Sequence, residues 1–278
     1  MTDSEQAHRI RVGVLINHRA TLGLHLAQYL DAHGGIDVLF YSHSGEGAGM
    51  WSRLGRWLRR NGWRKTTNQV LGRIYRRVFF GAREKVQLAE LVDADAASDQ
   101  FPEHVKIVHV PNVASEEMEA ALREADLDVL CVMCKEMLPA RLLDIPRQCV
   151  IGQHPGITPH YRGSWSSFWA LANDEPNMIG TSVFLMDEKA DTGEVIYQDY
   201  VEIDYSWDTF FSLSVRSQLR SAVLMARALD DLRQDHLVSK KLISDRKKTY
   251  YPVPGLTDFL KYRKKLRLAA MTSRASDR

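Results

Sequence analysis

A chain of 278 residues, 45% apolar and 26% charged, has the material for one large globular domain, or for a main domain with a small appendage. No apolar run approaches the ~20 residues of a membrane-spanning helix, and the polar start MTDSEQAHR lacks the apolar stretch of a signal peptide, so a cytoplasmic protein is expected. The net charge of +2 hides an asymmetry: residues 51–85 carry eleven bases against Glu84 alone, which leaves 26 bases and 34 acids elsewhere.

Residues 11–17 (RVGVLIN) read as a buried first strand, followed by helical spacing from Leu22 to Leu30. Ile36 to Ser42 makes a second strand, closed by the Gly-rich loop 45–49. From Trp51 the period turns helical. Trp51, Leu54 and Leu58 come first, and Leu71, Ile74, Tyr75, Val78, Phe79, Ala82 and Val86 then form a second apolar stripe, with the arginines mostly on the other faces. Val105 to Val110 is a third strand. Ser115 offers an N-cap before Glu116 and Glu117, acids that suit the start of a helix ending near Ala125.

Leu127 to Met133 is apolar almost throughout, as a strand covered on both faces is. Val150 and Ile151 begin a fifth strand. Thr181 to Met186 and Glu194 to Ile203 are two more, and a long helix from about Thr209 to Leu232 precedes a basic tail. Strands alternating with helices imply an α/β fold, a doubly wound and mostly parallel sheet with its site beyond the carboxyl ends of the strands. No GxGxxG or GxxxxGK[ST] loop follows the first strand, which removes the main support for a dinucleotide or P-loop reading.

Cys131, Cys134 and Cys149 lie in apolar runs, and so sparse and odd a set argues against a disulfide framework. No second cysteine pair or histidine pair completes a zinc site with Cys131-Val-Met-Cys134, and positions three apart in a strand face opposite ways. Buried core thiols are expected, and no metal.

Two stretches carry candidate chemistry. In Gln153-His-Pro-Gly-Ile-Thr-Pro-His-Tyr-Arg-Gly163, His154 ends a buried strand ahead of a rigid Pro-Gly-x-x-Pro loop, a place to line a crevice or to be a satisfied structural histidine. In Met186-Asp-Glu-Lys-Ala-Asp-Thr-Gly193, Asp191 sits in a turn between strands, where an Asp also serves to cap its own backbone. With Met137-Leu-Pro139, Trp169-Ala-Leu171 and Gly180-Thr-Ser, these stretches resemble in order and spacing the signature of the 10-formyltetrahydrofolate-dependent formyltransferases, over about residues 126–205.

The resemblance implies a Rossmann-like formyltransferase catalytic domain over residues 1–205, with the basic helical segment 51–85 inside it and a helical C-terminal extension at 206–278. It implies 10-formyltetrahydrofolate as formyl donor and a substrate amine that attacks the formyl carbon. A protonated His154 would stabilise the oxyanion, and Asp191 would hold the imidazolium and accept the amine's proton through water. The family carries an Asn two residues before this His, where this chain has Gly152. Gln153 has the right amide but sits one step along the strand; Asn17 or His18 from the first strand's end are other sources of a donor. The family's pterin-binding loops correspond to Lys135, Glu136 and Leu138, and to Met186, Asp187, Glu188 and Lys189, with contacts largely through backbone.

The expected function is an N-formyltransferase acting on a small amine substrate, anionic or carrier-linked. The alternative is a folate-binding protein of weak or altered acyl-transfer or hydrolytic activity, since Gly152 removes a donor. Segment 51–85 suits a solvated face, a phosphorylated or carrier-bound substrate, RNA or a membrane surface, with Trp51, Trp57 and Trp63 among its arginines. The roughly 70 residues after Ile203 weigh against tRNA, whose formyltransferases carry a substantial second domain. An oligomer stays open.

Overall fold

The computed structural model describes residues 9–18, 21–44, 55, 57–59, 61–92, 101–134, 136–189 and 191–265. Two compact units emerge, one from residues 1–46 and 88–251, the other from residues 47–87 and 252–278.

The first unit is built on seven strands: β1 (Val12–Asn17), β2 (Val38–Ser42), β3 (Lys106–Val110), β4 (Val129–Val132), β5 (Cys149–His154), β7 (Gly180–Leu185) and β8 (Val195–Tyr200). Their spatial order is β3-β2-β1-β4-β5-β7-β8. The first five run parallel, and β7 and β8 are antiparallel to their neighbours. The chain winds outward from β1 through β2 to β3, then returns to β4 and winds the other way. The crevice of such a sheet opens at that reversal, beyond the carboxyl ends of β1 and β4.

Alternation sends side chains to two packed faces. Val12, Val14, Ile16, Cys131 and Ile151 meet α1 (Thr21–Gly34) and a long helix, Phe210–Arg233, which we label α7 in chain order. Leu15, Leu130, Val132 and Val150 meet Met118 and Leu122 of α4 (Glu116–Ala125), and Leu142 of α5 (Ala140–Leu143). The expected cap of α4 is present, with the Ser115 hydroxyl accepting from the Met118 N–H at 3.1 Å. A short α6 (Ser166–Ala172) and a two-stranded pair, β6 (Arg162–Gly163) with β9 (Tyr250–Tyr251), complete the unit.

The first unit runs on to residue 251, past the boundary at 205 expected from the sequence. Helix α7, capped by Thr209 and Ser212, buries Leu224, Met225, Ala228 and Leu229 in the core it shares with β1, β4 and β5. Without that helix one face of a sheet buried on both sides would meet water.

In the second unit, α2 (Trp63–Phe79) runs into α3 (Gly81–Leu91), whose residues 88–91 belong to the first unit, and residues 256–265 are helical. The inward face of α2 is small and polar: a Cβ on Gly72 would lie 2.7 Å from the Gly255 carbonyl carbon, and Gln69 donates to the Val253 carbonyl at 3.0 Å. Asn68 donates to Thr257 Oγ1 and accepts from its N–H. The apolar stripe therefore turns outward, with Ile74 55%, Phe79 57% and Val78 70% exposed. Loop 45–49 and Trp51 and Leu54 lie outside the described residues. Among the described residues no helix is long and apolar enough to cross a membrane.

Leu229→Ala, deep in the α7 face, should cost about 2–5 kcal/mol by urea denaturation, and a fragment ending at residue 205 should not unfold cooperatively. A cooperative, native-like 1–205 fragment would return α7 to the status of an appendage.

Candidate active site at the end of strand β5

Strand β5 lies between β4 and β7, so its side chains strictly alternate. Gly152 and His154 share the face of Val150, on the α4 side. Gln153 points to the other face, where its Oε1 accepts from the Ser221 hydroxyl of α7 at 3.1 Å. The substitute amide expected at Gln153 therefore does not reach the site. Asn17 is also committed, its Nδ2 donating to Glu136 Oε2 at 2.6 Å.

His154 is buried, 5% exposed as a residue. Its Nε2 lies 2.8 Å from the Tyr161 carbonyl oxygen and 3.0 Å from the Ser166 hydroxyl. A carbonyl only accepts, so Nε2 carries the proton. The Nδ1 edge faces Asp191, 3.6 Å from Oδ1, although the two residues lie 37 positions apart. The other carboxylate oxygen of Asp191 accepts from the Gly163 N–H at 3.0 Å. Asp191 adopts a left-handed backbone (φ 54°), the turn conformation that Asp tolerates. The two motifs thus meet, with the carboxylate the more open partner: its side chain is 18% exposed, against 6% for the imidazole.

The loop from His154 to Gly163 is held rigidly. Thr181 donates to the His154 carbonyl, Ser182 to the Gly156 carbonyl, and Gln198 to the Thr158 carbonyl. Gly156 has no room for a side chain: a Cβ would lie 2.4 Å from Ser166 Oγ and 2.7 Å from His154 Nε2. Gly163 combines φ 91° with an approach to the Tyr251 carbonyl that a Cβ would make at 2.4 Å. Tyr161 is fully buried, stacked on Tyr251 at 5.2 Å, and burial followed by its bond to Glu175 pushes its pKa up to about 12. It serves as scaffold through its carbonyl.

The space at Gly152 is filled. A Cβ there would meet Met186 Cγ at 2.8 Å, Met186 Sδ at 3.1 Å and Phe184 Cε2 at 3.2 Å. A thioether stands where the resemblance places an amide. Beside the site a cavity of ≈ 270 Å³ is lined by Thr158, Arg162, Asp191, Thr192, Lys241 and Arg246, among others, a wall with three cationic side chains.

The two loops expected to hold the donor flank β5. Lys135 lies outside the described residues. Glu136 takes the Asn17 amide, and Leu138 is core, 3% exposed. The Met186 N–H donates to the Val150 carbonyl at 2.8 Å, carrying the loop on from the β5–β7 pairing. Asp187 organises its turn, accepting from Thr192 Oγ1 at 2.6 Å and from the Lys189 N–H, with Lys241 Nζ 3.6 Å away. Glu188 and Lys189 are exposed.

The cysteines behave as core thiols. Burial pushes the pKa of Cys134 up to about 12 and that of Cys149 up to about 11, and raises that of Cys131 as well. Tyr161, Gly163 and Ser166 gained importance only in three dimensions, although the first two fall inside the quoted motif. A further group had no sequence signal as a group, His18 alone having been named as a possible donor: His18, His43 and His109, scattered over 92 residues, gather at the ends of β1 to β3. Desolvation, then His43 and His18, hold the pKa of His109 below its ordinary value.

Comparison with known proteins bears on this geometry. Residues 79–229 match a family model described as formyl transferase. A stretch of 115 residues, 41% of this chain, is 38% identical to the methionyl-tRNA formyltransferase of Deinococcus radiodurans; it covers 35% of that protein, so the chain spans about a third of this relative's length. The phosphoribosylglycinamide formyltransferase of Anaplasma phagocytophilum superposes with a TM-score of 0.54 at 16% identity, over 88% of this chain and 98% of that one. An N-formyltransferase of Helicobacter canadensis, solved with folinic acid and dTDP-3-aminofucose, gives 0.50 at 12% identity, over 88% and 71%. At such identities the structural likeness speaks for the fold.

Gly156→Ala should push the His154 ring from its place and destabilise the chain by about 1–3 kcal/mol. Gly152→Asn should do likewise by driving into Met186, and Met186→Ala in the same chain should recover most of that loss. Urea midpoints of the three variants check both statements; a fully stable Gly152→Asn single variant would show that Met186 yields freely.

Proposed function

The chain belongs to the formyl transferase family, whose model matches more than half of it, and from that premise we propose that its β5 site moves a formyl group from 10-formyltetrahydrofolate to an amine of a small, anionic or carrier-linked substrate. The observation that carries the reading is the His154–Asp191 pair, a buried imidazole 3.6 Å from a more open carboxylate at the carboxyl end of a central strand. Catalytic contacts are often long before substrate binds and tighten in the complex, so this separation suits a resting pair.

The residues on either side of β5 fit the donor's flat, nitrogen-rich ring. The loop after β4 offers the Glu136 carboxylate, which Asn17 already holds, and the turn from Met186 to Lys189 offers backbone and the Asp187 carboxylate. The donor brings an activated formyl carbon; this chain's part is to place the amine and handle charge and proton. Asp191, the more accessible partner, takes the amine's proton. His154, its Nε2–H fixed on the Tyr161 carbonyl, supports the developing negative charge in its protonated form, with the Nδ1–H on the edge that faces Asp191. Arg162, Lys241 and Arg246 stand on the adjoining wall, Lys241 paired with Asp187 and Arg246 with Glu175, so an anionic acceptor would have to share or displace those carboxylates.

Met186 beside Gly152 favours a second reading, a folate-binding chain with slow or redirected transfer. One missing oxyanion donor typically costs ~10²–10³ in rate, so the two readings differ measurably.

His154→Asn and Asp191→Asn should each lower kcat by about a hundredfold or more while leaving folate affinity nearly unchanged, because each removes an interaction that strengthens only in the transition state. Wild-type kcat in both variants would move the chemistry elsewhere. Gly152→Asn with Met186→Ala should raise formyl transfer under the first reading; folate binding without transfer to any amine, before and after that change, would establish the second.

We also propose that segment 51–85 recognises an anionic acceptor. Arg76 is paired with Glu84 at 2.7 Å and Arg73 stacks over Trp57 at 4.1 Å, so the test falls on the exposed Arg64, Lys65 and Arg77. Their replacement by Gln should raise KM for the acceptor and flatten its dependence on ionic strength, with kcat little changed. Superimposable KM–salt curves would leave the segment a solvated face.

A further inference from the structure

We propose that His18, His43 and His109 form a binding site for a divalent transition-metal ion, with zinc the best fit. Their ligand nitrogens all lie within 4.8 Å of one another, and His43 Nε2 and His109 Nδ1 are 3.0 Å apart. Zinc–imidazole bonds of ~2.0–2.1 Å in a tetrahedron set the ligand nitrogens about 3.3 Å apart, so ring rotations alone bring three donors onto one ion.

The backbone holds the three in place. The His18 N–H donates to the Ser42 carbonyl at 2.8 Å and the His43 N–H to the Val110 carbonyl at 3.0 Å, which extends both ladders past the strand ends. In that register Tyr41 pairs with His109, and His18 falls beside His43. All three histidines therefore lie on the sheet face of Ile16 and Tyr41, on three neighbouring strands. The Tyr41 ring supports them, stacked on His109 at 5.2 Å and edge-on to His18 at 5.7 Å.

The chemistry of the donor set narrows the occupant. Three neutral imidazoles suit zinc and its neighbours and do not suit magnesium or calcium, which take oxygen. His109 is exposed and the other two half-buried, so a fourth position is open to water or to an oxygen of a bound molecule. Three protein ligands and an open place is the pattern of a reactive zinc site; structural sites are closed by four. The face is the one opposite to that of Gly152 and His154, so the inference stands apart from formyl transfer.

Metal-stripped full-length protein, titrated with Co2+, should take up one equivalent and develop the intense visible bands of tetrahedral cobalt. Zn2+ should displace the cobalt, and competition with a chromophoric chelator should give its affinity. His43→Asn and His109→Asn should each weaken binding by more than the ~10–100-fold that an outer-shell partner is worth, and His104→Asn, which alters a histidine beside Asp31, should not. In wild-type protein, one equivalent of Zn2+ should shift the ring nitrogens of three among the ten histidines in long-range 1H–15N spectra, a readout independent of whether the variants fold. No cobalt bands in the wild type, undiminished affinity in both variants, or zinc shifts at other histidines would each overturn the site and leave a hydrogen-bonded histidine stack.

Discussion

Strand β5 is packed on both faces, and that constraint organises the site. Successive residues must point to opposite layers, so the backbone that delivers His154 to the α4 side necessarily delivers Gln153 to α7. It also puts Gly152 directly under Met186. A one-residue shift would exchange the two faces along the whole strand, and the pairing with β4 on one side and β7 on the other forbids it. The imidazole is thus placed by the sheet, and only its rotation is left to its neighbours.

Those neighbours come from one loop that folds back on its own start. The His154 ring donates to the carbonyl of Tyr161, seven residues later, and Gly163 N–H then fixes the carboxylate that faces the ring. Polar side chains of β7 and β8 pin the carbonyls in between. Such a loop holds its dipoles already oriented, the preorganisation that electrostatic catalysis requires under the proposed function. The tightness explains why small residues recur there: Gly156 abuts the ring itself.

The second unit follows a different logic. Its α2 packs by a glycine and amides that approach residues 253–257 closely, so the bulky apolar side chains go outward, flanked by basic ones. An exposed apolar stripe beside arginines is the kind of surface that the proposed recognition of an acceptor would use. The bases of residues 51–85 lie in this unit, while most of the chain's acids lie in the first.

Much of this was legible along the chain. The strands and helices, the Ser115 cap and the parallel character of the sheet follow from periodicity and end signals, which depend on neighbours a few residues apart. His154 and Asp191 stood out through their motifs, as did the departure at Gly152. What tertiary structure decided was every question of which distant residue fills a space: Met186 at Gly152, Ser221 on Gln153, α7 as a wall of the sheet, and an apolar stripe turned to solvent. The three histidines show the reason most plainly. Nothing in their three segments relates them, and only the register between β1, β2 and β3, set by backbone pairing across nearly a hundred residues, brings their nitrogens within 4.8 Å of one another.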